Sequence, residues 1–161
     1  TGDVVAALSE EENRVSVLRR AGKLGLGTAY IAGMKAGLQK EYTHLMTMDA
    51  DFSHHPRYIP AMIALARDEH KDVVIGSRYI PGGGTKLWGW DRILLSWGAN
   101  RIAKTSLGLR PNDCTAGFRL YRREVLESID LDAIFSNGYS LDNHYQCIEM
   151  EKIGENPLSS R

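Results

Sequence analysis

Residues 45–56 read LMTMDADFSHHP, a short apolar run that leads into two aspartates, Asp49 and Asp51. The run has the length and composition of a buried strand, and α/β proteins hold their ligands beyond the carboxyl ends of such strands. Mg²⁺ and Mn²⁺ prefer oxygen ligands and are commonly bound by one or two carboxylates together with substrate phosphates. The stretch therefore predicts a metal site for a nucleoside diphosphate, although a bare Asp-x-Asp is also frequent in structural turns.

Strand and helix patterns alternate on either side of this stretch. Strands are predicted at residues 15–18, 45–49 and 73–76, and helices at residues 28–40, 56–70 and 91–107. A further element begins at Leu120. Short apolar strands that alternate with helices form a mostly parallel sheet covered on both faces, so we expect one α/β domain over residues 1–161. Sheets of this kind usually begin with a strand, whereas residues 4–8 favour a helix, so we also expect an amino-terminal piece before residue 1.

The composition argues against several classes of protein. The 161 residues carry 20 basic and 20 acidic side chains, so no overall charge favours a nucleic acid as partner. Cys114 and Cys147 lack the Cys-x-x-Cys spacing of zinc sites and disulfide frameworks, which fits a reducing compartment. No run approaches the roughly 18 apolar residues of a membrane span. We therefore expect a cytoplasmic chain that is soluble or peripheral on a membrane.

Residues 22–27 read GKLGLG and precede the helix predicted from residue 28. The backbone amides of this loop, the Lys23 ammonium and the helix terminus are suited to a phosphate, which would place Lys23 and Gly25 in the donor site. The spacing is neither that of the Walker loop nor that of the dinucleotide fingerprint. Glycines that ease a tight turn are an equally good alternative.

Two arginines are candidates for the same site. Arg78 follows the strand predicted at residues 73–76, at the sheet edge where the paired aspartates are expected. A guanidinium there offers bidentate contact to phosphate oxygens, although a salt bridge to those aspartates is the alternative. Arg119 lies in the polar turn DCTAGFRLYR, residues 113–122, and is a further candidate for donor binding. The alternative is an Asx turn capped by Asp113 with solvated arginines.

The helix predicted at residues 91–107 combines an apolar face with basic residues. Trp88, Trp90 and Trp97 lie in it or just before it. A basic amphipathic helix with tryptophans is suited to a membrane interface and to an anionic head group. Packing of the apolar face in the core is the alternative.

His54 and His55 raise the alternative of a zinc site formed with the paired aspartates. Neighbouring residues at a helix start point in different directions, and no further histidine stands at ligand spacing. Packing at the start of the helix is therefore preferred.

Four stretches carry a resemblance to a known family. They are KLGLGTAY at residues 23–30, MDADFSHHP at 48–56, GSRY at 76–79 and DCTAGFRLY at 113–121. In this order they resemble the motifs of the dolichyl- or polyprenyl-phosphate mannose synthases, which are inverting family-2 glycosyltransferases of the GT-A fold. The resemblance extends from residue 1 to about residue 139, and residues 140–161 match poorly.

The resemblance implies a GT-A-like, Rossmann-like fold and a role for specific residues. It implies Mg²⁺ or Mn²⁺ at Asp49 and Asp51, the donor diphosphate at Arg78, and the acceptor lipid phosphate at Arg92 and Ser96. Asp51 and Arg78 are then the expected catalytic residues, because the metal and the guanidinium would stabilise charge on the departing diphosphate.

Besides residues 140–161, this sequence departs from the family pattern in two places. The family's opening strand, with its Pro-x-Tyr-Asn-Glu segment, and its Asp-rich loop are expected to hold the nucleobase and ribose, and neither is found in this chain. Ser53 stands where relatives often have Gln as a further ligand beside the metal.

The activity implied is transfer of mannose from GDP-mannose to a polyprenyl or dolichyl phosphate, on the cytosolic face of a membrane. A membrane-anchoring partner, or a membrane segment outside this chain, is compatible with that activity. The acceptor phosphate is largely dianionic at pH 7, its second pKa being about 6, so the reaction needs no general base. Three alternatives stay open: a UDP-glucose-dependent polyprenyl-phosphate glucosyltransferase, a metal-dependent phosphohydrolase, and a non-catalytic membrane-surface subunit with a nucleotide-binding fold.

Overall fold

The computed structural model describes residues 2–81, 97, 98, 101, 105 and 112–134, and the backbone of residues 153–157. The helices are α1 Gly2–Glu11, α2 Leu26–Leu38, α3 Ile59–Asp68 and α4 Arg123–Glu127, with a 3-10 turn at Pro56–Tyr58. The strands are β1 His44–Thr47, β2 Val73–Ser77, β3 Arg119–Arg122 and β4 Ile153–Pro157. No helix in these ranges is long and apolar enough to cross a membrane.

The four strands form one sheet in the order β1-β3-β2-β4. Strand β3 is antiparallel to both β1 and β2, and β2 is parallel to β4. Strands β1, β2 and β4 therefore share one direction, as expected for the predicted α/β sheet. Strand β3 runs the opposite way between β1 and β2, so that two of the three described strand pairs are antiparallel. As a result, the carboxyl ends of β1 and β2 and the amino end of β3 meet at one edge of the sheet.

Helices cover the two faces of this sheet. Side chains alternate between the faces along β2, so Val73 and Ile75 pack with Met34 of α2 and with α4, whereas Val74 packs with Met62 of α3. Gly37 lets α2 lie close to β1, because a Cβ at this position would overlap the Leu45 side chain. The close approach fixes where α2 lies beside the carboxyl end of β1.

The prediction of a strand at residues 15–18 is wrong. These residues follow α1 and have no strand assignment, and Leu18 is exposed. Alternation of β-branched residues favours a strand only when a neighbouring strand supplies hydrogen bonds, and none of the described strands pairs with this segment.

The other predicted elements have shifted boundaries. Strand β1 ends at Thr47 rather than at Asp49, and the element expected from Leu120 is strand β3 followed directly by α4. Of the helix predicted over residues 91–107, only residues 97, 98, 101 and 105 are described, and all four are helical. Residues 135–152 and 158–161 lie outside the described part, which leaves most of the poorly matching end untested.

Candidate metal and nucleotide site

Three segments converge at the edge where β1 and β2 end. Asp49 and Asp51 follow β1, Arg78 follows β2, and the loop 113–118 leads into β3. Because β3 is antiparallel to its neighbours, this loop begins at the same edge at which the other two segments arrive. The threonine that ends β1, Thr47, donates a hydrogen bond from Oγ1 to the Gly117 carbonyl at 2.7 Å and so ties the loop to β1.

Asp49 is held from two sides. The Tyr30 hydroxyl, on α2, donates a hydrogen bond to Oδ1 of Asp49 at 2.8 Å. The backbone N–H of Asp49 donates to Nδ1 of His54 at 2.9 Å. Gly117 lies behind the carboxylate, because a Cβ there would stand 3.2 Å from the Tyr30 hydroxyl and 3.4 Å from Asp49 Oδ2. The orientation of Asp49 is therefore set by residues from α2, from the following turn and from the loop before β3.

His54 is buried and stacks on Phe118, with ring centroids 5.0 Å apart and an interplanar angle of 13°. Burial lowers its pKa, and this outweighs the opposing effects of the Asp49 and Asp51 charges. Since Nδ1 accepts the Asp49 N–H, the imidazole is neutral with its proton on Nε2. The structure agrees with packing rather than zinc ligation, and no group of three candidate ligand residues occurs among the described residues.

Asp51 is exposed and is organised by Ser53. Its Oδ1 accepts hydrogen bonds from the Ser53 N–H at 3.0 Å and from the Ser53 hydroxyl at 2.6 Å. The side-chain hydrogen bond from Ser53 is the largest cause of a lowered pKa at Asp51. Asp51 is therefore a carboxylate at neutral pH, and Ser53 acts as a donor to it.

The two carboxylates fit a divalent cation of the Mg²⁺ or Mn²⁺ type. Oδ1 of Asp49 accepts a hydrogen bond from Tyr30 and Oδ1 of Asp51 accepts from Ser53, while Oδ2 of each accepts no hydrogen bond from the described part of the chain. Two carboxylate oxygens are the protein ligands that Mg²⁺ commonly uses when substrate phosphates and water complete the octahedron. Asp49 and Asp51 would hold the ion.

Arg78 pairs with Asp113 rather than with the paired aspartates. Its Nε and Nη2 donate to the two carboxylate oxygens at 2.7 Å each, and its backbone N–H donates to Oδ2 at 3.0 Å. Nη2 also lies 2.8 Å from the Thr115 hydroxyl. Burial lowers the pKa of Arg78, but the hydrogen bonds and the charge of Asp113 raise it by more. A protonated guanidinium, whose charge Asp113 balances, is thereby fixed at the carboxyl end of β2. Its predicted contact with phosphate stays a prediction.

Arg119 lies inside the molecule. It is buried, and its Nε donates to the Ala116 carbonyl at 2.7 Å while Nη2 donates to the Cys114 carbonyl. The guanidinium therefore braces the loop before β3. The donor-binding role predicted for Arg119 is not tested by these contacts and stays a prediction.

The glycine loop before α2 has a structural organisation of its own. Gly25 adopts φ 90° and ψ 160° at the start of α2, a conformation that disfavours any side chain. The Thr28 hydroxyl lies 2.9 Å from the carbonyl oxygens of Leu24 and Gly25, and Arg20 donates to Thr28 and to the Gly25 carbonyl. Lys23 is exposed. The turn alternative thus accounts for Gly25, while phosphate contact by Lys23 and Gly25 stays a prediction.

Three contributors were missed by the sequence reasoning: Tyr30, the hydrogen-bond pairing of Asp113, and Gly117. Tyr30 stands four residues before the buried Met34 and so lies on the face of α2 that packs on the sheet. A half-buried tyrosine needs a partner for its hydroxyl, which is the signal that could have identified it.

Arg92 and Ser96 lie outside the described residues, so their acceptor role is untested.

Comparison with known proteins supports the resemblance. The chain is 46% identical over 142 residues to polyprenol monophosphomannose synthase of Mycolicibacterium smegmatis, covering 85% of this chain and 53% of that protein. It is 45% identical over 139 residues to undecaprenyl-phosphate mannosyltransferase of Micrococcus luteus, covering 86% of this chain and 56% of that protein. The chain thus spans about half the length of the curated relatives it matches.

A solved structure shares the fold. Glucosyl-3-phosphoglycerate synthase from Mycobacterium tuberculosis, in complex with Mn²⁺, UDP-glucose and phosphoglyceric acid, matches with a TM-score of 0.58 at 19% identity. The match covers 95% of this chain and 50% of that chain. The GT-A-like fold expected from the sequence is confirmed.

Residues 1–130 match the family model described as Glycosyl transferase family 2, and the chain therefore belongs to this family.

Proposed function

We propose that this protein transfers mannose from GDP-mannose to a polyprenyl phosphate, with inversion at the anomeric carbon. The observation that carries the proposal is the pair Asp49 and Asp51 at the same sheet edge as the fixed cation Arg78, in a chain of this family. Relatives named for polyprenol and undecaprenyl mannosyl transfer support the choice of sugar and acceptor.

The residues have separate tasks in this reaction. Asp49 and Asp51 bind the divalent cation, which when bound neutralises charge on the diphosphate of the donor. Arg78 offers charged N–H donors to the departing diphosphate, where preorganised electrostatics act most strongly. Its orientation is set in advance by Asp113, so little reorganisation is needed when the charge develops.

The acceptor brings its own nucleophile. A phosphate monoester is largely dianionic at pH 7, since its second pKa is about 6, and attacks without a general base. The neutral His54, whose Nδ1 is occupied by the Asp49 N–H, fits a site that does not use it as a base. Attack from the face opposite the leaving diphosphate inverts the anomeric centre.

The acceptor is water-insoluble, so we propose that the protein works at the cytosolic face of a membrane. Trp97 has a helical backbone and is 56% exposed. An exposed tryptophan suits the boundary between head groups and acyl chains. Arg92 and Ser96 are proposed to bind the acceptor phosphate. Flotation of the protein with anionic and with neutral vesicles tests this location, and equal flotation with both would contradict an electrostatic contribution.

Transfer to lipid is tested with the 161-residue chain, radiolabelled sugar donors and undecaprenyl or dolichyl phosphate. We expect label from GDP-mannose in the organic phase, dependent on Mg²⁺ or Mn²⁺, with Asp51→Ala reducing it at least about 100-fold. Asp68→Ala, an exposed carboxylate at the end of α3, is the matched control and leaves the rate unchanged.

The same assay includes UDP-glucose, because the solved structure of similar fold binds that donor. If lipid-linked glucose formed and lipid-linked mannose did not, the donor would be UDP-glucose and not GDP-mannose. Release of free phosphate from the acceptor would instead support a phosphohydrolase. A wild-type chain that binds nucleotide and membrane but forms no product would support a non-catalytic subunit.

A further inference from the structure

The position of the Asp49 carboxylate depends on one side chain from another element. The Tyr30 hydroxyl reaches it from α2, nineteen residues earlier in the sequence, and donates to Oδ1 at 2.8 Å. The remaining oxygen, Oδ2, accepts no hydrogen bond among the described residues and lies 3.9 Å from Nδ1 of His54. The two oxygens of one carboxylate are thus in different environments.

Tyr30 is itself held in place. It is half-buried and packs against the core cluster that contains Met34, Ala116 and Tyr121. A tyrosine hydroxyl carries its proton at neutral pH. A protonated hydroxyl beside a carboxylate can only donate to it.

The backbone of Asp49 is restrained independently. Its N–H donates to Nδ1 of His54, and the His54 ring is stacked on Phe118. With the backbone fixed in this way, the remaining freedom of Asp49 is rotation of its side chain. Among the described residues, the Tyr30 hydroxyl is the side-chain donor that limits this rotation.

We propose that Tyr30 is a positioning residue of the metal site, which holds Oδ1 of Asp49 and leaves Oδ2 to bind the divalent cation. The inference rests on the metal binding in the proposed function and deepens it. Groups that orient metal ligands through a hydrogen bond typically change metal affinity 10- to 100-fold when removed. The competing account is that Tyr30 only packs against the sheet through its ring.

The two accounts differ in the effect of Tyr30→Phe, which keeps the ring and removes only the hydroxyl. Mn²⁺ binding to the 161-residue chain is measured in the presence of GDP by electron paramagnetic resonance of free Mn²⁺. We expect the dissociation constant for Mn²⁺ to rise about tenfold. Binding of GDP in the presence of chelator should remain unchanged, because it does not depend on the metal ligand.

Two further variants keep the test decisive. Tyr42→Phe removes a hydroxyl from an exposed tyrosine before β1 and should leave Mn²⁺ affinity unchanged. Replacing Tyr30 with p-aminophenylalanine restores a donor at the same position and should recover most of the affinity. If Tyr30→Phe fails to fold, p-fluorophenylalanine at the same position replaces it, because fluorine fills nearly the space of the hydroxyl but donates no hydrogen bond. Circular dichroism is the check on folding.

The outcomes separate the inference from the proposed function. Unchanged Mn²⁺ affinity in Tyr30→Phe, or a wild-type chain that binds no Mn²⁺ in the presence of GDP, would overturn the role of Tyr30. Weaker Mn²⁺ binding in Tyr30→Phe, in a protein that transfers no mannose, would support the positioning role and overturn the proposed reaction alone.

Discussion

The Arg78 guanidinium and the fully buried Asp113 carboxylate form a bidentate pair, with two hydrogen bonds of 2.7 Å between them. The pair joins the end of β2 to the loop that leads into β3, thirty-five residues later. The Arg78 side chain is only 13% exposed, so solvent screens the interaction weakly. The pair therefore serves the fold as well as the site.

Breaking this pair should destabilise the protein. Asp113→Ala leaves an uncompensated buried guanidinium, which is expected to lower the free energy of unfolding by about 3–5 kcal/mol. Asp68→Ala, which breaks the exposed pair between Arg67 and Asp68, should change it by less than about 1 kcal/mol. Urea denaturation followed by circular dichroism measures both. Similar values for the two variants would mean that Arg78 finds solvent or another partner.

The buried His54 should make stability depend on pH. Its pKa is lowered in the folded protein, mainly by burial, so the unfolded chain takes up a proton first as pH falls through about 6.5. The stabilising contribution is therefore complete above that pH and is lost on acidification. We expect the free energy of unfolding to fall more between pH 7 and pH 5 in the wild type than in His54→Asn. An equal fall in both would assign the dependence to other groups.

The left-handed backbone conformation of Phe52 is expected to lower the stability of the protein. This residue has φ 66° and is 91% exposed, as the central residue of the turn closed by the hydrogen bond from Ser53 to Asp51. The left-handed conformation costs an ordinary residue roughly 1–2 kcal/mol and asparagine less, so Phe52→Asn should raise the free energy of unfolding by about 0.5–1 kcal/mol.

Ile63→Asn is the matched control, because Ile63 is an exposed apolar residue within α3. It should not stabilise the protein, since asparagine is a poorer helix former than isoleucine. Thermal unfolding of the two variants provides the comparison. A lower midpoint for Phe52→Asn would show that the aromatic ring makes a stabilising contact.

Arg92 is predicted to act on the acceptor alone. Arg92→Ala removes a charged hydrogen bond to the lipid phosphate, worth about 1.5–3 kcal/mol, so the acceptor KM should rise about 10- to 100-fold. The donor KM should change less than about twofold. Arg67→Ala, on the exposed end of α3, serves as control. Equal changes in both KM values would assign Arg92 to general structure.

The sequence alone was enough to predict that the candidate site residues after the first two strands lie at one sheet edge. An apolar run that ends in Asp49 and Asp51, and a second that ends before Arg78, predict side chains at one sheet edge, because strands that run in the same direction end together. The motif order identified the family as well. These inferences are local or depend on strand direction, and both kinds of information can be obtained from hydrophobic pattern and spacing.

Only the tertiary structure decided which residues meet at that edge. The insertion of β3 between β1 and β2 brings Asp113 to Arg78, and the close packing of α2 on β1 brings Tyr30 to Asp49. Arg119 likewise points inward to loop carbonyls, although its sequence context suited a ligand equally well. Periodicity gives the face on which a residue lies but not its partner, because partners come from segments far apart in the chain. The prediction of a strand at residues 15–18 was wrong for the same reason, because a strand is stabilised by a neighbouring strand that its own sequence does not specify.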